Sequence, residues 1–212
     1  MASPTLPVRA ELVEAQRMSS SLTPARLIAA PRELRTARLR LAAPAPAHAA
    51  ALMALVNRNL PTLGYIAWAQ QPWTLARAQR FCRWGLAMVD SAEVIIFDVF
   101  AGHASDAPLI GRIDLHSFDL EVPRAEIGYV GDATVQGQGL MREAVLAVLD
   151  FAFALGFARV EAISELSNHR ALHFAQSLGM VREGTLHRRE RGVNGELVDQ
   201  ALFAAWPIDA DS

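Results

Sequence analysis

The chain has 212 residues, 52% of them apolar and 20% charged, with a formal charge of -2, which fits one folded globular unit with short additions. That charge balance offers no basic excess for nucleic acid or an anionic membrane, and no apolar run reaches the roughly eighteen residues of a spanning helix. The lone cysteine, Cys82, excludes an intramolecular disulfide and a cysteine-based zinc cluster and suits a reducing cytoplasm. All 20 basic residues counted as Lys or Arg are arginine, so lysine Schiff bases, P-loop lysines and kinase strand lysines are excluded as well.

Residues 1–32 carry a short helical pattern between proline and serine clusters, without the apolar core of a signal peptide. They are expected to form a loosely attached extension, consistent with an upstream start codon. Truncation near residue 30 is then expected to leave folding and activity intact. The folded domain is expected over 33–207, with 208–212 as a tail. ARLRLAAP alternates as a strand, and PAHAAALMALVNRNL has helical spacing after a proline. LARAQRFCRWGLAMV follows Thr74 as a candidate N-cap and predicts a second helix. AEVIIFDVFAG, PLIGRIDLHSF and RAEIGYVGD are three strands bounded by Gly, Pro or Asp.

Next comes VQGQGLMREAV, which opens a helix over 139–155 with Leu140, Ala144, Val148, Phe151 and Leu155 on one face. GFARVEAISE is a buried strand, and a helix from Asn168 to Leu178 ends at Gly179. The last two strands turn at Asn194-Gly195, a strong hairpin signal. This order predicts a mixed sheet with helices on both faces.

Gly137 and Gly139 lie one residue apart directly before a long helix, whose N-terminus has up to four unpaired amides and about half a positive charge. An anion such as a diphosphate fits there, and glycines let it approach the backbone. The alternative is that they only form a tight strand-to-helix turn. A Rossmann fingerprint fails because Arg142 stands where its third glycine belongs, and the P-loop fails for want of lysine.

Gln136-Gly137-Gln138-Gly139 resembles the pyrophosphate loop of the GNAT superfamily of N-acetyltransferases. RAEIGYVGDATVQGQGLMREAV, NHRALHFAQSLGMVREGTLHR and GELVDQALF resemble successive segments of its RimJ/RimL-type branch, and TARLRL resembles its opening strand. The likeness runs from about Glu33 to Trp206. It implies an α/β fold of α+β character, with a mixed, mostly antiparallel central sheet splayed at the fourth strand and helices on both faces. It also implies acetyl-coenzyme A as cosubstrate, no metal, and an amine acceptor. The acceptor would be a ribosomal or other protein N-terminus, with aminoglycoside-like or polyamine amines as alternatives, and a non-catalytic coenzyme A-binding module as a different class of function. A homodimer occurs among relatives, and nothing in the sequence itself decides it.

By the same resemblance Gln136, Gly137, Gln138 and Gly139 would face the pyrophosphate, with Leu140 and Met141 starting the helix over it. Asn168 would contact the coenzyme or merely cap its helix. Tyr129, Val130 and Gly131 would meet the pantetheine arm at the splay.

Attack by nitrogen requires a neutral amine, and an α-amine (pKa roughly 7.7–8.0) is far easier to deprotonate than a side-chain ammonium near about 10.4. Glu126 is the candidate base, against a structural pairing with Arg112 or Arg124, and His116 on the neighbouring strand is the second candidate. The family's thiolate-protonating tyrosine position is Ala175 here, so the general acid is unassigned. Tyr65, Trp68 and Trp73, concentrated in the loop 59–73, are expected either to contact the acceptor or to pack that loop onto the core.

Overall fold

A computed structural model describes residues 22–207; the helical pattern of residues 8–18 and the tail 208–212 lie outside the described residues. In chain order the elements are α1 (Pro24–Ile28), β1 (Glu33–Arg35), β2 (Leu39–Ala42), α2 (Ala49–Asn59), α3 (Leu75–Asp90), β3 (Ile95–Ala101) and β4 (Leu109–Asp119). They continue with β5 (Arg124–Gly131), α4 (Leu140–Leu155), β6 (Arg159–Glu165), α5 (His169–Ser177), β7 (Val181–Arg191) and β8 (Leu197–Ala205).

Local chemistry sets several of these boundaries. The Thr74 hydroxyl accepts from the Arg77 amide to start α3. Helix α4 lies between Gly139 and Gly156, both with left-handed backbone. In the β7–β8 hairpin Gly195 takes a φ of 81°, and its amide donates to the Gly192 carbonyl across Val193 and Asn194.

The strands form one sheet in the order β1-β2-β3-β4-β5-β6-β8-β7, antiparallel except for β5–β6. That parallel pairing spans only Arg124–Glu126 against Arg159–Glu161. Strand β5 continues alone with β4 as far as Gly131, so the sheet parts after Glu126. The parted strand is the fourth recognisable from sequence and the fifth here, because the three-residue β1 forms by pairing with β2.

Alternation along the strands builds two cores. Ile95, Phe97 and Val99 of β3, with Ile113 and Leu115 of β4 and Ala125 and Ile127 of β5, pack under Ala144, Val145, Val148 and Ala152 of α4. On the opposite face Phe100 and Leu109 pack with Leu52, Leu55 and Val56 of α2 and Ala78 and Cys82 of α3. Asp98 is fully buried on that second face and receives the Arg112 Nε at 2.7 Å, with His48 Nδ1 at 2.8 Å. Burial works against its ionisation, but the Arg112 charge and the His48 and Arg112 hydrogen bonds hold its pKa below the usual carboxylate range.

The expected boundary at residue 33 needs correction. Leu22, Leu27 and Ala30 are buried in the same cluster as α4, and Thr23 caps α1 through the Arg26 amide. Residues 22–32 are therefore part of the packed body, since a buried leucine contributes roughly 1.5–3 kcal/mol. Leu27→Ala is expected to lower the unfolding free energy by about 2–4 kcal/mol in urea denaturation. A chain beginning at residue 32, which loses both buried leucines, is expected to melt lower still. An unchanged midpoint in both would mean that this segment is dispensable.

Candidate active site

The turn between β5 and α4 is fixed from below by a buried carboxylate. Asp132 accepts from Arg58 Nε at 2.7 Å, from Asn59 Nδ2 at 3.2 Å and from the Thr134 amide at 3.0 Å. Asn59 Oδ1 in turn accepts from the Ala133 amide. Burial opposes the charge on Asp132, yet the Arg58 hydrogen bond and the Thr134 amide outweigh it and hold its pKa at about 2. This network ties the end of β5 to the end of α2.

Above it, Gly137 and Gly139 adopt φ of 81° and 72°, a region that favours glycine. Among the described residues the amides of Gly137, Gly139, Leu140, Met141 and Arg142 have no acceptor; the first helical bond of α4 runs from Glu143 to the Gly139 carbonyl. The loop is clamped from outside by Arg38, which donates to the Gln138 carbonyl and to Glu143, while Glu143 also accepts from Thr36. Met141 lies over Gly111 and Gly131, which are register partners on β4 and β5. An added Cβ would come within 2.5 Å of its Sδ at Gly111 and 2.7 Å of its Cγ at Gly131. Those two glycines let the first turn of α4 sit directly on the sheet.

The residues carrying these amides line a cleft of about 760 Å³, inside the range of small-molecule sites. Tyr129, Val130, Gly131, Gln136, Gly137, Gly139, Leu140, Met141 and Asn168, all expected at the coenzyme site, line it together. Gln138 does not; its carbonyl accepts from Arg38 and its amide donates to the Val135 carbonyl. Asn168 combines both expected features, because its Oδ1 caps α5 through the Ala171 amide while the residue lines the cleft. Burial pushes the Tyr129 phenol up to about 12, so it stays protonated, and its ring meets Phe174 edge-on at 4.9 Å.

Sequence reasoning missed Arg142, Arg170 and His173 in this lining, of which the two arginines add positive charge to the same wall. Their signal was present, since the chain's basic residues are all arginine and two of them flank the glycine loop and Asn168.

Of the three aromatics expected near the acceptor, only Tyr65 reaches the cleft, where its hydroxyl donates to the Ser167 carbonyl at 3.0 Å. Trp73 is only 3% exposed and sends its indole N–H to the Trp68 carbonyl. Trp68 packs on Trp73 and Phe81. The core side of the earlier alternative describes these two tryptophans.

Glu126 and His116 do not line the cleft, but they come together on the α2–α3 face where the sheet parts. They are register partners, with His116 Nε2 3.8 Å from Glu126. Asp114 lies 2.8 Å from His116 Nδ1 and raises the imidazole pKa above its usual value against the effect of burial, with Glu126 and Glu190 adding to the rise. Glu126 does have an arginine partner, but it is Arg189 of β7 at 3.3 Å. Arg112 is occupied by Asp98, and Arg124 by Asp119 and Glu161. Tyr129 lies three residues along β5, about 10 Å from Glu126 at the usual strand rise.

The family profile described as an acetyltransferase (GNAT) domain matches residues 38–181. The Bacillus subtilis (strain 168) protein named Probable N-acetyltransferase YjcK is 34% identical over 118 residues, which make up 55% of this chain and 64% of that protein. The matched stretch thus spans less than two thirds of that relative. Solved structures that share the fold include the following two. The microcin C7 self immunity acetyltransferase MccE, in complex with acetyl-CoA and AMP, superposes with a TM-score of 0.76 at 21% identity, covering 88% of this chain and 99% of that one. RimL, a ribosomal L7/L12 α-N-protein acetyltransferase in complex with coenzyme A, gives a TM-score of 0.72 at 22% identity, covering 83% and 97%.

The depressed pKa of Asp132 has a direct consequence for acid stability. An aspartate in the unfolded chain titrates near about 3.9, so the contribution is complete above about pH 4 and fades as the pH falls toward 2. Wild type and Asp132→Asn are expected to differ in unfolding free energy by an amount that shrinks by on the order of 2 kcal/mol between pH 5 and pH 2. A difference that stays constant across this window would detach Asp132 from the network.

Proposed function

Because the chain belongs to the GNAT acetyltransferase family, we propose that it transfers an acetyl group from acetyl-coenzyme A to a primary amine, with a protein or peptide N-terminal α-amine as acceptor. One observation carries this reading: the residues at the mouth of α4 whose amides lack an acceptor and the end of β5, which has left β6, line one cleft. The residues present suit the cosubstrate. Backbone amides of the glycine loop, backed by Arg142 and Arg170, would hold its diphosphate. The β5 edge over residues 127–131, free of β6, offers main-chain groups to an extended amide-bearing arm.

The bound thioester supplies an electrophilic carbonyl and a thiol leaving group. The chain's part is proton handling. Glu126, joined to His116 across 3.8 Å, would take the proton that the ammonium must lose before its nitrogen attacks, directly or through water. For an α-amine that deprotonation costs only on the order of 1 kcal/mol at neutral pH. The RimL neighbour, a ribosomal L7/L12 α-N-protein acetyltransferase, supports the choice of acceptor.

Calorimetric titration with acetyl-coenzyme A is expected to show saturable binding, and peptides beginning with Ser or Ala are expected to release free thiol. Glu126→Gln should lower kcat/KM by roughly 100-fold or more while acetyl-coenzyme A binding is kept. No binding heat from a folded sample would overturn the reading. Turnover confined to small amines would move the acceptor away from protein N-termini.

A further inference from the structure

A second polar constellation adjoins Glu126 and takes no part in the proton handling above. On the α2–α3 face, β7 is interrupted by a bulge between Leu186 and Glu190, at which Arg188 has a φ of 50°. Asp199 of β8 holds that bulge open, accepting from the Arg188 amide at 2.9 Å and lying 2.8 Å from His187 Nδ1. Bulges re-aim side chains, and this one turns Arg189 onto Glu126 and Glu190 onto Gln200, whose Nε2 donates to Glu190 Oε2 at 3.2 Å.

Gln200 carries the argument. It is only 8% exposed, and its buried Oε1 accepts no hydrogen bond among the described residues. A buried acceptor left without a donor costs roughly 1–3 kcal/mol, and such groups in folded proteins are otherwise paired. Its surroundings state what kind of donor is missing. Glu190, Glu126 and Asp114 bring three carboxylates to one patch, countered by Arg189 and His116. An anion is disfavoured there, and a neutral hydroxyl could meet Gln200 Oε1 but would gain nothing from the negative charge of the patch. A primary ammonium supplies several N–H donors together with a positive charge.

We propose that Gln200 Oε1 and the Glu190 carboxylate, presented by the Arg188 bulge, form the subsite that recognises the acceptor's α-ammonium beside Glu126. This rests on the acetyl-transfer reading and adds the residues that select the acceptor. Glu190 is exposed and bonded to the Gln200 amide, so movement of its side chain would open the approach to the ligand. The proton on the recognised nitrogen then lies close to the Glu126–His116 pair. Recognition and deprotonation become successive events in one patch.

The test follows the side-chain amide resonance of Gln200 in the full-length protein, assigned by its loss in Gln200→Leu. The probes are the tripeptide Ser-Ala-Ala amide with a free N-terminus and the same peptide acetylated there, each titrated with and without coenzyme A. A saturable shift with the free peptide alone is expected. Glu190→Gln keeps the size and the hydrogen bond from Gln200 but removes the charge, and it should weaken the apparent Kd about tenfold or more. Glu196→Gln, the same charge change at the hairpin tip, should leave the Kd as it is. Equal shifts with both peptides, no shift with either, or a wild-type Kd in Glu190→Gln would overturn the subsite. Loss of coenzyme binding in the calorimetric titration is a separate result that would remove the acetyl-transfer reading itself.

Discussion

Strands β5 and β6 pair through three residues each and then part, and every candidate functional group lies at or beyond that point. Parallel neighbours could have continued to pair, but the end of β5 is held elsewhere. The Asp132 amide donates to the Ile110 carbonyl, keeping β5 with β4, while the Asp132 carboxylate binds Arg58 and Asn59 at the end of α2. A buried aspartate is costly unless fully compensated, so this anchorage has one arrangement. Phe174 of α5 sits against Tyr129 in the resulting gap.

The glycine loop follows from the same constraint. Once Asp132 fixes where β5 ends, α4 must begin within eight residues and return over the sheet to reach β6 on the right-handed side. Gly111 and Gly131 remove the side chains that would block Met141, and the left-handed Gly137 and Gly139 turn the chain into α4 along the cleft they line. Arg38 and Glu143 hold this geometry from the rim, in a protein without lysine. These bonds, all within the chain, hold the loop in one arrangement, and such preorganisation lowers the ordering cost of binding.

How far these features could be read from the residues depended on whether they are local. The helices at 75–90 and 140–155, the glycine pair and the Asn194-Gly195 turn are specified by neighbours in sequence, and their positions were legible there. The packing of residues 22–30 was not, because a five-residue helix gains its stability from a core contributed by distant strands. Trp68 and Trp73 illustrate the same limit: a loop rich in aromatics does not state which ring turns inward, and only Tyr65 reaches the cleft. The partner of Glu126 was hidden for a related reason. Arg189 reaches it through a bulge on a strand sixty-three residues away, and no spacing rule reports such a pairing.

The short β5–β6 junction also has a mechanical meaning. Strands β1–β5 and β6–β8 behave as two leaves of one sheet, joined along the spine by three register pairs and otherwise bridged by α4 and α5 packed across the seam. A molecule seated between the leaves would supply hydrogen bonds that the strands themselves do not form. It would stiffen the junction from within, and the folded state would gain stability with the logarithm of how far its concentration exceeds the Kd.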